Sequence, residues 1–98
     1  MSVTKKFLKT KPVCKVTFSL KDVEAKNVAV VGDFNDWNPT KFKLKKGKTG
    51  AFSGTFDIEK NNSYEFKYLI DGNFIAEPEA DRMQWNDYAG SENSVLVV

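Results

Sequence analysis

The sequence predicts an all-β domain, an immunoglobulin-like antiparallel β-sandwich of about seven strands. Three observations carry the prediction. Apolar and polar residues alternate in short runs spaced about 8 to 12 residues apart, as in sandwiches. Turn residues separate the runs. No stretch has a helical period, so helix amounts to one turn at most. With 98 residues, 41% of them hydrophobic and 29% charged, the chain has the size and composition of one domain with one core.

The strands follow in order. In residues 13–20, Cys14, Val16, Phe18 and Leu20 alternate with Lys15, Thr17 and Ser19, the pattern of a strand with one face on a core. Residues 27–32 contain Val28, Ala29, Val30 and Val31, apolar on both faces, which predicts a central strand. Residues 41–45 set Phe42 and Leu44 against three lysines, which predicts a short strand whose solvated face protects a sheet edge. Residues 46–50 supply the next turn. Phe52, Gly54, Phe56 and Ile58 then share a face, and residues 59–62 break the run.

In residues 64–70, Tyr64, Phe66, Tyr68 and Ile70 line one side, and Glu65, Lys67 and Leu69 the other, where Lys67 is expected to point outward. Asp71-Gly72 is a dipeptide favoured in type I′ hairpin turns, so residues 73–76 return antiparallel. Residues 77–93 are polar and acidic without a usable period and read as a long loop. Residues 94–98 close the domain as an apolar strand. Residues 1–12 read as an N-terminal extension and 13–98 as the sandwich.

Composition removes several chemistries. One cysteine, Cys14, forms no internal disulfide, and the chain has no histidine. Ser-His-Asp and Cys-His catalysis, the usual zinc ligand sets and two-histidine iron sites are therefore excluded. Cys14 falls in the core set of its strand and reads as a small buried hydrophobe. No catalytic residue, cofactor or metal is expected. Asp33 with Asp36, or Asp81 with Asp87, could be proposed as carboxylate pairs for glycosidase chemistry, but sandwich loops without a cleft seldom raise one carboxyl pKa enough. No apolar run is long enough for a membrane span and no secretory leader is evident, so a cytoplasmic location without membrane contact is expected.

Residues 1–48 carry 12 lysines against 4 acids, and residues 49–98 carry 3 basic residues against 9 acids. The lysines occupy alternating positions and read as the solvated faces of strands.

Large aromatics outside the strands are the informative residues, because packing alone does not call for them there. Trp37 lies in the turn-rich segment 32–39, and Trp85 in the acidic loop. An indole face stacks on the C–H face of a sugar ring, while the hydroxyl rim takes hydrogen bonds from Lys, Asn, Gln and Asp. Trp37 with Asn35, Lys67 and Asn93 supplies both halves. Stacking of nucleic-acid bases would need a basic groove, whereas these loops are acidic, so no nucleic acid is expected.

Three separated motifs, VAVVGDFNDWN (28–38), YEFKYLIDGNF (64–74) and GSENSVLVV (90–98), resemble the family 48 carbohydrate-binding module, also called the isoamylase N-terminal or glycogen-binding domain. The AMP-activated protein kinase β subunit carries such a domain. The likeness spans roughly residues 13–98 and implies an early-set β-sandwich. It also implies that Trp37 is the first sugar-stacking residue, that Lys67 and Asn93 bond the glucan hydroxyls, and that Phe74 stands in place of a second tryptophan. Ala89 stands where the kinase subunit has a leucine that reaches into the glucan helix, and nearby Trp85 is the candidate replacement. Residues 78–93 look more like small bacterial stand-alone members than like the eukaryotic kinase subunit.

The expected function is thus non-catalytic binding of α-1,4-glucans such as glycogen, starch or maltooligosaccharides, with a glycogen-metabolising enzyme as a partner in trans. The alternative is a protein-interaction or structural module of the same fold that has lost glucan binding.

Overall fold

The computed structural model describes residues 2–88 and 90–98. Among the described residues nine strands form: β1 (Ser2–Phe7), β2 (Val13–Leu20), β3 (Val28–Gly32), β4 (Lys43–Lys46), β5 (Phe52–Glu59), β6 (Ser63–Ile70), β7 (Asn73–Ile75), β8 (Arg82–Asn86) and β9 (Ser91–Val97). One turn of 3-10 helix, Asp33–Asn35, follows β3. Every strand pairing is antiparallel. The order is β1-β2-β5-β4-β3-β6-β9-β8, with β7 added to β6.

The sheet curls so that its two halves face each other across one core. Phe18 of β2 meets Phe66 and Tyr68 of β6 edge-on, with ring centroids 5.5 and 6.2 Å apart. Val16, Leu20, Val30, Ile58 and Leu96 fill in around them. A second aromatic run, Phe34, Phe42 and Phe56, stacks at one end, with centroids 5.3 and 4.2 Å apart. Burial of this kind is worth about 1.5–3 kcal/mol per large apolar side chain. The strands with clean alternation, β2 and β5, pair along their full length, Val13 with Glu59 through Leu20 with Phe52.

The hairpin between β6 and β7 forms as expected. Asp71 and Gly72 both take left-handed backbone, φ 46° and 86°, as a type I′ turn requires. The Asp71 carboxylate also accepts the backbone N–H groups of Lys26 and Asn27, which ties the hairpin to the start of β3.

The structure corrects the sequence expectations in three places. Among the described residues nine strands form rather than about seven, and β1, within the segment 1–12, pairs with β2 from Ser2 opposite Ser19 to Phe7 opposite Cys14. The segment 77–93 is not one long loop, because it contains β8 and the start of β9, so Trp85 stands on a strand. β4 is no edge strand. It pairs with β3 through Leu44 and Lys43 and with β5 through Lys45 and Lys46, carrying the sheet from one half to the other.

The two sheet ends come close at one seam. Lys5 of β1 donates to both oxygens of Asp81 at 2.7 and 2.6 Å, and Asp81 also accepts the Val97 backbone N–H at 2.7 Å. Burial works against the Asp81 charge, but the Lys5 ammonium and the Val97 N–H outweigh it and hold the carboxyl below its usual range.

Behind β9 lies a buried polar cluster. Tyr68 donates to Glu77 at 2.9 Å, and Glu77 accepts the Glu79 backbone N–H at 3.0 Å. Ser94 bonds the Glu77 backbone. Burial, together with the Glu77 carboxylate, pushes the Tyr68 phenol well up.

Candidate functional site

The site begins where β3 ends. A Cβ at Gly32 would lie 2.6 Å from the Glu65 carbonyl oxygen and 2.7 Å from the Phe66 Cβ, so glycine is needed for β3 to pass this close to β6. The chain then turns, and Asn35 shapes the turn. Its Oδ1 accepts the Gly32 N–H at 3.0 Å, and its Nδ2 donates to the Val30 carbonyl at 2.9 Å. Only 4% exposed and spent on backbone groups, Asn35 builds the loop rather than offering its amide at the surface.

Two consecutive left-handed residues follow, Asp36 and Trp37, each with φ 56°. A bulky residue in that region stores about 1–2 kcal/mol of strain, which the surroundings must outweigh. Here the Trp37 N–H donates to the Gly32 carbonyl at 2.9 Å, and its indole N–H donates to Asp33 Oδ1 at 3.0 Å. Asp33 Oδ2 in turn accepts the Glu65 N–H at 2.9 Å. The half-buried indole is thus held at its edge.

Register places the other candidates on the sheet. Directly opposed residues of an antiparallel pair share a face, as do alternate residues of one strand. On the face away from the core, β6 presents Glu65, Lys67 and Leu69; Leu69 opposes Phe74, and Glu65 opposes Val95, two residues from Asn93. Gln84 of β8 opposes Asn93. Phe74, Lys67, Asn93 and Gln84 therefore lie on one face. Phe74 stands at its hairpin end, and Trp37 at the end where Asp33 meets Glu65.

Lys67 lies on the face away from the core, yet it is covered there. Lys67 is 8% exposed, and its Nζ donates to Ser91 Oγ at 2.7 Å. Asn93 is buried as well and donates to Glu65 Oε1 at 3.2 Å. Both polar groups are fixed in place by neighbours on this face. Phe74, in contrast, is 60% exposed.

Trp37 and Trp85 line the same groove, about 530 Å³ in volume, together with Asp33, Glu65, Tyr88 and Asn93. Trp85 is 56% exposed, and its indole N–H donates to Asp87 at 2.6 Å, repeating the edge-on anchoring of Trp37. Phe74, Lys67 and Asn35 lie outside this groove. Ala89 is outside the described residues.

Asp33 is engaged by two N–H donors, and Asp81 sits at the Lys5 seam while Asp87 borders the groove. Sequence reasoning missed Glu65, Ser91 and Tyr88. Ser91 and Tyr88 fall in the segment read as loop, and Glu65 looked like any solvated acid until β9 was in place beside it.

A protein-family model described as the glycogen recognition site of AMP-activated protein kinase matches residues 14–98. No curated protein gives a significant match to the chain.

Proposed function

The chain belongs to that family of glycogen recognition domains, and on this premise we propose that it is a non-catalytic binding module for α-1,4-glucans. Residues 13–98 form the module, with the immunoglobulin-like early-set topology. The observation that carries the reading is the shared sheet face of Phe74, Lys67 and Asn93, with Trp37 anchored at its end. Two glucose rings stack on Trp37 and Phe74. The Lys67 ammonium and the Asn93 amide turn from Ser91 and Glu65 toward the sugar hydroxyls, and Trp85 extends the apolar surface beside Trp37.

No covalent step is involved. Binding stabilises one arc of the glucan chain against an open face, so affinity is micromolar or weaker, because few rings are buried and each must be ordered. The setting is cytoplasmic, where Cys14 stays reduced, and a glycogen-metabolising enzyme acts on the same polymer in trans.

The test is a titration with β-cyclodextrin and maltoheptaose, followed by intrinsic tryptophan fluorescence, with Trp37→Ala beside the unmodified chain. A saturable change that disappears in the variant supports the reading. A folded protein that ignores millimolar sugar refutes it and leaves protein interaction as the function of the face.

A further inference from the structure

The sheet ends on β1 and β8, which meet only beside the Lys5–Asp81 seam, and their free edges are defended unequally. β1 carries Lys5 and Lys6, and lysines on an edge strand oppose pairing with another chain. β8 has neither lysine nor proline. Among the described residues its strand partner is β9 alone. Arg82, Met83, Gln84 and Trp85 are all exposed, two of them large and apolar. Exposed apolar side chains on an unpaired strand make a ready template for strand addition.

The order of residues in β8 says what the template fits. In an antiparallel pair with a twofold axis through Gln84, Gln84 opposes its own equivalent, Met83 opposes Trp85, and Arg82 opposes Asn86, next to Asp87. Thioether meets indole, amide meets amide, and a guanidinium meets an amide. The strand is complementary to itself in chemistry, with no like charges opposed. A net charge of only +2 puts little repulsion between copies.

We infer that β8 is a homodimerisation edge: two copies of this chain join β8 to β8, antiparallel and in register about Gln84, into one continuous sheet. The twofold axis then runs through the sheet plane from face to face. The two surfaces that carry Gln84, Asn93, Lys67 and Phe74 come to lie on the same side. Resting on the glucan reading, this arrangement lets one polymer engage both copies at once; the dimer itself does not depend on that reading.

Sedimentation equilibrium of the full chain without sugar, from low micromolar to near millimolar, is the first measurement. A reversible dimer is expected, shifted to monomer by Met83→Lys with the far-ultraviolet circular dichroism unchanged. Register is tested by cysteine. Gln84→Cys places equivalent Cα atoms about 5 Å apart across the axis, within disulfide reach. Arg82→Cys places them about 13 Å apart along the strands, out of reach. Under mild oxidation the first variant is expected to cross-link and the second not, with buried Cys14 of the unmodified chain as background. A monomer at every concentration overturns the inference, as does cross-linking of Arg82→Cys as fast as Gln84→Cys. Should Met83→Lys fail to fold, the cysteine comparison still decides. Because no sugar is present, failure here leaves the glucan reading intact, and a dimer that ignores glucan refutes only that reading.

Discussion

Asp33 holds two elements at once: one carboxylate oxygen accepts the Trp37 indole N–H at 3.0 Å and the other accepts the Glu65 backbone N–H at 2.9 Å. The loop that carries the stacking residue is thereby tied to the strand that carries Lys67. Asp33→Ala is expected to release the indole and weaken glucan binding by about tenfold, roughly 1.4 kcal/mol, while the fold persists. Cyclodextrin titration by calorimetry, with thermal melting beside it, separates loss of binding from loss of structure. Unchanged affinity in a folded Asp33→Ala protein would mean that Trp37 needs no anchor.

Phe74 offers a smaller aromatic face than tryptophan and no N–H donor. Because it is exposed on the short strand β7, a larger ring fits there without repacking the core. Phe74→Trp is expected to tighten maltoheptaose binding by about 1 kcal/mol, roughly fivefold, and Phe74→Ala to weaken it by a similar amount. Both are read by calorimetric titration. Indifference of binding to both substitutions would remove Phe74 from the site.

Glu77 is fully buried and shares its carboxylate between the Tyr68 hydroxyl and the Glu79 N–H. Tyr68→Phe removes one of these donors and leaves the charge in place, at an expected cost of about 1–3 kcal/mol. Urea unfolding should show a lower midpoint with an unchanged slope. The same pair sets an alkaline limit. The folded-state phenol pKa of Tyr68 is raised, so its contribution to stability is complete below the unfolded value, about 10, and falls as pH rises beyond it.

At the acid end the signs reverse. Asp71 is lowered by the Asn27 and Lys26 backbone N–H groups, and Asp81 by Lys5 and Val97 against its own burial. A depressed carboxylate contributes stability above its unfolded pKa, about 3.9, and loses it as pH falls through the folded value. Stability is therefore expected to hold between about pH 5 and 8 and to decline below about pH 4, with Asp71→Asn flattening part of the decline. A pH series of urea midpoints would show it. An identical acid limb in the variant would contradict the assignment to Asp71.

What could be read from the sequence tracks what periodicity encodes. β2, β5 and β6 alternate cleanly because one face of each packs on the core, and their positions follow from that pattern. β8 buries no side chain, and β1 has only two half-buried residues, so neither carries the alternation that marks a strand; backbone pairing with β9 and β2 makes them. Alternation also told which way Lys67 points, but not that Ser91 would cover it, since that depends on a strand 24 residues away. Asn35 shows the same limit: an asparagine in a turn fits a ligand or a loop equally well until the carbonyl of Val30 is placed beneath it.

The seam between Lys5 and Asp81 bears on how the chain reaches its native state. It joins positions 76 residues apart, and Asp81 must at the same time catch the backbone of Val97. During synthesis the first strand can pair with β2, yet its far side stays open until nearly the whole domain has left the ribosome. Such distant closure slows the search for the native topology, so this small sheet should fold on the millisecond-to-second scale of β proteins rather than with the speed its size suggests.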